Sequence, residues 1–267
     1  MRLRPIAGIV LRQFYLLRGS PTRVLPLFAW VAIDIVLWGF ITRYLNAVSG
    51  SHIDFVPQLL GAVLLWDFFT RIMQGVTTAF LEDIWSRNFL NLFATPLRIS
   101  EYVSGLVATS VITSALGLIV MLLLATLVFG LQFFQLGLAL VPLLLVLFVF
   151  GIALGVLASA MVLRLGPASE WLVWPLPALL SPFAGVFYPL ATLPGWMRAI
   201  GEALPAAYVF EGLRAAVAGQ GLRVAPLGIG AVLAVAYLAV AALVFGRVFR
   251  HVVRSGLLAR YSAESVS

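Results

Sequence analysis

Residues 137–163 read Gly-Leu-Ala-Leu-Val-Pro-Leu-Leu-Leu-Val-Leu-Phe-Val-Phe-Gly-Ile-Ala-Leu-Gly-Val-Leu-Ala-Ser-Ala-Met-Val-Leu, without one charged side chain. Crossing about 30 Å of hydrocarbon takes about 20 apolar residues in a helix, and this stretch is apolar on every face. It reads as a membrane span. Gly151, Gly155 and Ser159, four apart, form a small-residue stripe that lets another helix approach closely.

The rest of the chain agrees. Of its 267 residues 63% are apolar and 10% charged, with mean hydropathy +1.09. A soluble domain is about 45–50% apolar and about 25% charged, so most of this surface must face lipid. Five further segments qualify or nearly qualify as spans: 24–45, 55–81, 102–129, 170–187 and 224–245. The fifth in chain order, 170–187, is the least regular. Trp30, Trp38, Trp66, Phe68, Phe69, Trp171 and Trp174, near span ends, read as interfacial or packing residues. The expected fold is an all-α membrane protein of six transmembrane helices.

Arginine positions set the orientation. With the N-terminus inside, twelve arginines are cytoplasmic, four (Arg43, Arg198, Arg214, Arg223) are outside and Arg71 lies within a span. That bias satisfies the positive-inside rule and puts both termini in the cytoplasm. Ahead of the spans, Ile6, Ile9, Val10, Phe14 and Leu17 recur at helical steps, with Arg4, Arg12, Gln13 and Arg18 mostly off the stripe. Residues 1–23 are therefore expected to hold an interfacial helix, broken at Ser20-Pro21. No cleavable signal peptide is expected, because the first 20 residues lack a long apolar core.

Missing residue types exclude chemistry. There is no Cys, and His52 and His251 are far apart, so disulfides, thiolate sites and paired-His metal sites are out. All 17 basic residues are arginine, so a lysine-bearing phosphate loop is impossible. The formal charge of +7 could suggest nucleic acid, but the arginines are strung between apolar runs and act as topology signals.

Three regions stand out. In the cytoplasmic loop 82–100, residues 82–93 have the composition of a short amphipathic helix stopped by Thr95-Pro96. Its acidic Glu82 and Asp83 would lie at the positive end of that helix, followed by Arg87 and Asn88; Leu90, Phe93 and Leu97 form an apolar knob. Two readings are open at this point, a helix packed under the bundle and a docking element for a soluble partner. The second region, 188–223, follows a proline-broken span: Pro175, Pro177, Pro182, Pro189, Pro194 and Pro205 crowd this part of the chain. Broken backbone at membrane depth survives only where protein or a wet cavity covers it, so short re-entrant pieces are expected. Tyr188 and Trp196 suit an outer interface, and Glu211 and Arg214, three apart, are spaced to pair. Third, Asp34, Asp67 and Arg71 are ionisable residues within spans. Each would cost about 2.5–3.5 kcal/mol facing lipid, so they point inward, as a buried pair fixing helix register or as part of a polar path.

The ordered combination resembles the permease subunits of type-2 ATP-binding cassette exporters. The carrying stretches are Leu90-Asn91-Leu92-Phe93-Ala94-Thr95-Pro96-Leu97, Phe187-Tyr188-Pro189-Leu190, Leu193-Pro194-Gly195-Trp196, and Leu204-Pro205-Ala206-Ala207-Tyr208-Val209-Phe210-Glu211-Gly212-Leu213-Arg214. The resemblance covers the whole chain as one permease domain, 1–267, with a cytoplasmic tail at 246–267. It implies a coupling helix between spans two and three, docking through Glu82, Asp83, Arg87, Asn88, Leu90, Phe93 and Pro96 on a separate nucleotide-binding ATPase subunit. It further implies broken re-entrant helices between spans five and six, a second permease copy, no cofactor on this chain, and ATP and Mg on the ATPase. The expected setting is a bacterial inner membrane, and the expected cargo an amphipathic, lipid-linked or glycan molecule. A secondary transporter or channel using Asp34, Asp67 and Arg71 is the competing reading, though the spans show no obvious inverted repeat. An intramembrane enzyme lacks a catalytic constellation.

Overall fold

The computed structural model describes residues 2–49, 56–86, 91–92, 95–130 and 140–257. Among these the chain is helical, with no strand. Long apolar runs leave backbone groups only one way to be satisfied in lipid, and that is within the helix itself.

Helix α1 (Leu3–Arg18) ends at Gly19, and α2 (Pro21–Ser49) begins on the expected proline, 29 residues long. A π-helical turn (Val56–Leu60) leads into α3 (Gly61–Trp85). Next come α4 (Ile99–Phe129) and α5 (Leu140–Leu165). Among the described residues, four helical stretches are long and apolar enough to cross a membrane: Gln58–Trp85, Ile99–Phe129, Leu140–Leu165 and Val224–Arg254, the last being α9.

Residues 170–187 do not form one continuous span. They divide into a 3-10 helix (Pro167–Leu172) and the nine-residue α6 (Leu176–Ala184), which ends at Gly185 with φ +60°. At 1.5 Å per residue α6 is about 14 Å long, half the hydrocarbon thickness. The prolines explain the division. Pro177 falls in the first turn of α6, where its missing N–H is not needed, and Pro182 removes a donor further along. A 3-10 turn (Leu190–Thr192), α7 (Gly195–Glu202) and α8 (Pro205–Val217) follow, the short pieces expected between the fifth and sixth apolar segments.

Helix α5 packs between α3 and α9, and α3 also packs on α4. In the most apolar windows of α3 and α5, 61% of residues are buried, against 22% in α4 and α9. The first two are therefore the core pair. The small-residue stripe lies on their contact: a Cβ on Gly155 would sit 2.7 Å from the Met73 backbone oxygen. The Thr77 hydroxyl, on α3, donates across this contact to the Gly155 carbonyl at 3.2 Å. Above it an aromatic column links four helices. Phe69 stacks on Phe150 at 5.3 Å, Phe150 meets Tyr237 edge-on at 5.2 Å, and Trp66 lies 5.9 Å from Phe210.

Candidate functional site

Two of the expected loop residues belong to a helix. Glu82 and Asp83 lie in the last turn of α3, which runs on to Trp85, so the loop helix does not begin at Glu82. Their charge opposes the negative C-terminal end of α3 instead of suiting a positive N-terminal one. The compensation comes from other elements. Asp83, wholly buried, pairs with Arg12 of α1 and accepts a 2.7 Å hydrogen bond from the Tyr102 hydroxyl of α4. Burial pushes the Arg12 guanidinium below the ordinary arginine range, against the opposing electrostatic pull of Tyr102 and Glu82. Arg87, Asn88, Leu90 and Phe93 lie outside the described residues.

A second pair ties α1 to the other root of the loop. Arg2 donates from Nε and Nη2 to the Glu101 carboxylate, both at 3.0 Å, and from Nη2 to the Pro96 carbonyl at 2.9 Å. Glu101, at the third position of α4, also accepts the Arg98 backbone N–H at 3.1 Å and so caps the helix it belongs to. The hydrogen bond from Arg2 to Glu101 raises the guanidinium pKa above its usual value. Between the two pairs, Ile9 packs on Gly105, where a Cβ would lie 2.7 Å from the Ile9 side chain. The result is a clamp: α1 grips the end of α3 and the start of α4, the two roots of the 82–100 loop. Nearby, the Trp85 indole donates to Glu170 at 2.8 Å. The buried positions of α1 are Ile9 and Gln13, and Phe14, part of the expected apolar stripe, is 55% exposed.

The intramembrane charges come together. Arg71 donates from Nε to Asp67 at 2.8 Å, both side chains largely buried, and Asp34 of α2 lines the same cavity. That cavity, of ≈ 590 Å³, lies between α1, α2, α3 and α4, with Trp174 at one edge. Asp67, Thr70, Arg71, Gln74, Thr78 and Glu82 present one face of α3 to it, a polar stripe about 22 Å long. Across from it stand Thr109, Thr113 and Ser114 of α4. Small residues make the space: Gly117 passes under the Arg71 stem, 3.4 Å from where its Cβ would be.

The third region is a tied strap. Glu211 of α8 accepts the Leu190 backbone N–H at 2.8 Å and pairs with Arg214 at 3.0 Å. Arg214 in turn donates to the Gly185 carbonyl at 2.9 Å. The Tyr188 hydroxyl donates to the Pro182 carbonyl at 2.8 Å, closing the turn after α6. Pro189 and Pro194 are the N-caps of the following 3-10 turn and of α7, and Pro205 opens α8. Trp196 is 65% exposed, its ring 6.3 Å from that of Phe183.

The family model described as ABC-2 type transporter matches residues 11–217, well over half of the chain. The chain belongs to the ABC-2 type transporter family. No curated protein matches it. An ABC-2 permease is a membrane-spanning subunit of an ABC exporter and is not itself the ATPase, in keeping with a multi-pass chain without lysine. Permeases of this family normally work with a nucleotide-binding ATPase partner. The ABC-2 match begins within α1 and ends with α8, so it takes in Arg12, Asp83, the polar cavity and the strap.

Sequence reasoning missed Arg2, Arg12, Gln13, Glu101 and Tyr102 as parts of these arrangements. Glu101 carried a local signal, an acid at the third position of a long apolar helix. Arg2, Arg12 and Tyr102 carried none, because their partners are distant in the chain, and Gln13, a polar residue, gave no sign that packing would bury it.

Proposed function

We propose that the chain is the permease of an ATP-driven exporter that moves an amphipathic, lipid-linked or glycan molecule out of the cytoplasm or inner leaflet by alternating access. A separate ATPase subunit, carrying ATP and Mg, docks on the 82–100 loop and α1, and two permease copies pair in a bacterial inner membrane. Six spans cross it, with α2 as the first and the proline-broken segment around α6 as the fifth; both termini are cytoplasmic.

The observation that supports the docking reading is the clamp. Because Arg2–Glu101 and Arg12–Asp83 join α1 to both roots of the loop, a push on the loop reaches α3 and α4 together. Family membership weighs against an ATP-independent channel built on Asp34, Asp67 and Arg71. The test is co-purification with a nucleotide-binding subunit followed by vanadate-sensitive ATPase assays in lipid. Leu90→Asp or Phe93→Asp should abolish the coupling while leaving the permease folded. Full activity with the knob disrupted rules out loop docking.

A further inference from the structure

Helix α9 is longer than a bilayer needs. Residues 224–246 carry no charge and make about 34 Å of helix, enough for about 30 Å of hydrocarbon. Arg247, Arg250, His251 and Arg254 follow in the same helix at steps of three and four, all exposed on one face. Phe245, Val248 and Val252, off that face, are buried. Tyr237 joins the aromatic column at the level of Phe69, and Phe245 meets Phe80 edge-on at 6.3 Å. Helix α9 therefore runs beside α3 in the same direction, and Arg250 comes level with Trp85 at the end of α3. The carboxylates at this end are engaged elsewhere: Asp83 and Glu101 with Arg12 and Arg2, and Glu170 with the Trp85 indole. Among the described residues no carboxylate pairs with Arg247, Arg250 or Arg254, and α9 contains no acid. Arg250 donates from Nε to the Gly246 carbonyl at 3.2 Å, which leaves its terminal nitrogens for another acceptor.

We infer that the arginine stripe of α9 binds the phosphate groups of anionic phospholipid in the inner leaflet. The inference goes beyond the exporter reading and takes from it only the cytoplasmic side of this helix end. Topology asks that these arginines be inside; it does not ask that they share a face. Depth favours lipid over a soluble partner. The headgroup layer beyond the hydrocarbon is about 5–8 Å thick, and at 1.5 Å per residue Arg247, Arg250 and His251 fall within it. Arg254, one turn further, reaches back on its long stem. A soluble subunit meets this face only from beyond the headgroups. Guanidinium forks match phosphate oxygens in pairs, and each juxtamembrane arginine strengthens attachment to an anionic leaflet about fivefold.

The test is native mass spectrometry of the purified full chain in detergent, without any ATPase, titrated with phosphatidylglycerol or phosphatidylcholine. Phosphatidylglycerol is expected to bind about tenfold or more tightly than phosphatidylcholine. Arg247→Gln, Arg250→Gln and Arg254→Gln combined should lower phosphatidylglycerol affinity about tenfold or more and leave phosphatidylcholine binding unchanged. The three changes to Lys, which keep the charges, should stay within about threefold of wild type. If the triple glutamine variant is not monodisperse, Arg250→Gln alone decides, with an expected loss of about fivefold. Wild-type affinity in the glutamine variants, or an equal loss in the lysine variant, overturns the inference. Displacement of the lipid by an equal concentration of soluble glycerol phosphate overturns it in favour of a free phosphate ester. A phosphatidylglycerol preference kept in the glutamine variant, with a co-purifying nucleotide-binding subunit lost, overturns it in favour of a protein contact. Lipid selectivity kept alongside failed ATPase coupling counts against the exporter reading alone; coupling kept without selectivity counts against the stripe alone.

Discussion

Arg12 and Arg71 solve the same problem at two depths, each neutralising a carboxylate that its helix could not otherwise carry. Asp83 has no exposure at all, so deleting its partner strands a buried charge. Arg12→Ala should therefore lower stability by about 3–5 kcal/mol, read as a drop in the thermal unfolding midpoint in detergent. Arg71 and Asp67 are neighbours on one helix face, and here the comparison of variants matters more than the size of the loss. Arg71→Ala should be more damaging to folding than Arg71→Ala combined with Asp67→Asn, because the second change removes the unpaired charge. A double variant no more stable than the single one would show that the pair does not act as a unit. Asp67 and Arg71 were visible as a pair in the sequence because their spacing is local. Arg12 with Asp83 was not, since no period in the chain connects α1 to the end of α3.

At the scale of elements, close approach is controlled by glycine at a few crossings. Gly155 lies against the Met73 backbone, and Gly228 in α9 has no atom within 4 Å of a would-be Cβ. Gly155→Ala should push α5 from α3 and lower the unfolding midpoint. Gly228→Ala should leave it unchanged or raise it slightly, since alanine lowers the entropy cost of the helix by roughly 0.5–1 kcal/mol. Equal effects of the two would mean that the stripe is not a packing contact. The sequence pointed to the stripe through its four-residue spacing but not to its partner helix. The start of the loop helix at Glu82 was misplaced for a similar reason. Residues 82–85 have an amphipathic pattern that serves either as the start of a new helix or as the end of α3, and the Arg12 and Tyr102 contacts to Asp83 favour the second.

For the whole molecule, the absence of cysteine makes the topology directly testable, because any single introduced cysteine is the only thiol. Under the proposed arrangement Arg198→Cys, in α7, should react with a membrane-impermeant maleimide in intact cells. Ser255→Cys, just after α9, should react only in inverted vesicles. The reverse pattern would invert the molecule, and labelling of both from one side would remove a span. The long helices needed only their composition to be read: a run without charge in lipid must satisfy its backbone internally, so the sequence by itself determined a helical membrane protein and the places where prolines break it. It also carried the ordered family stretches. Only the tertiary structure decided that α1 clamps both roots of the loop, that α6 is too short to cross alone, and that six polar residues of α3 line one cavity with Asp34 and Gln13. The physical reason is range. Periodicity reports what a helix does to itself, whereas ion pairs and cavities depend on which faces meet after the helices pack.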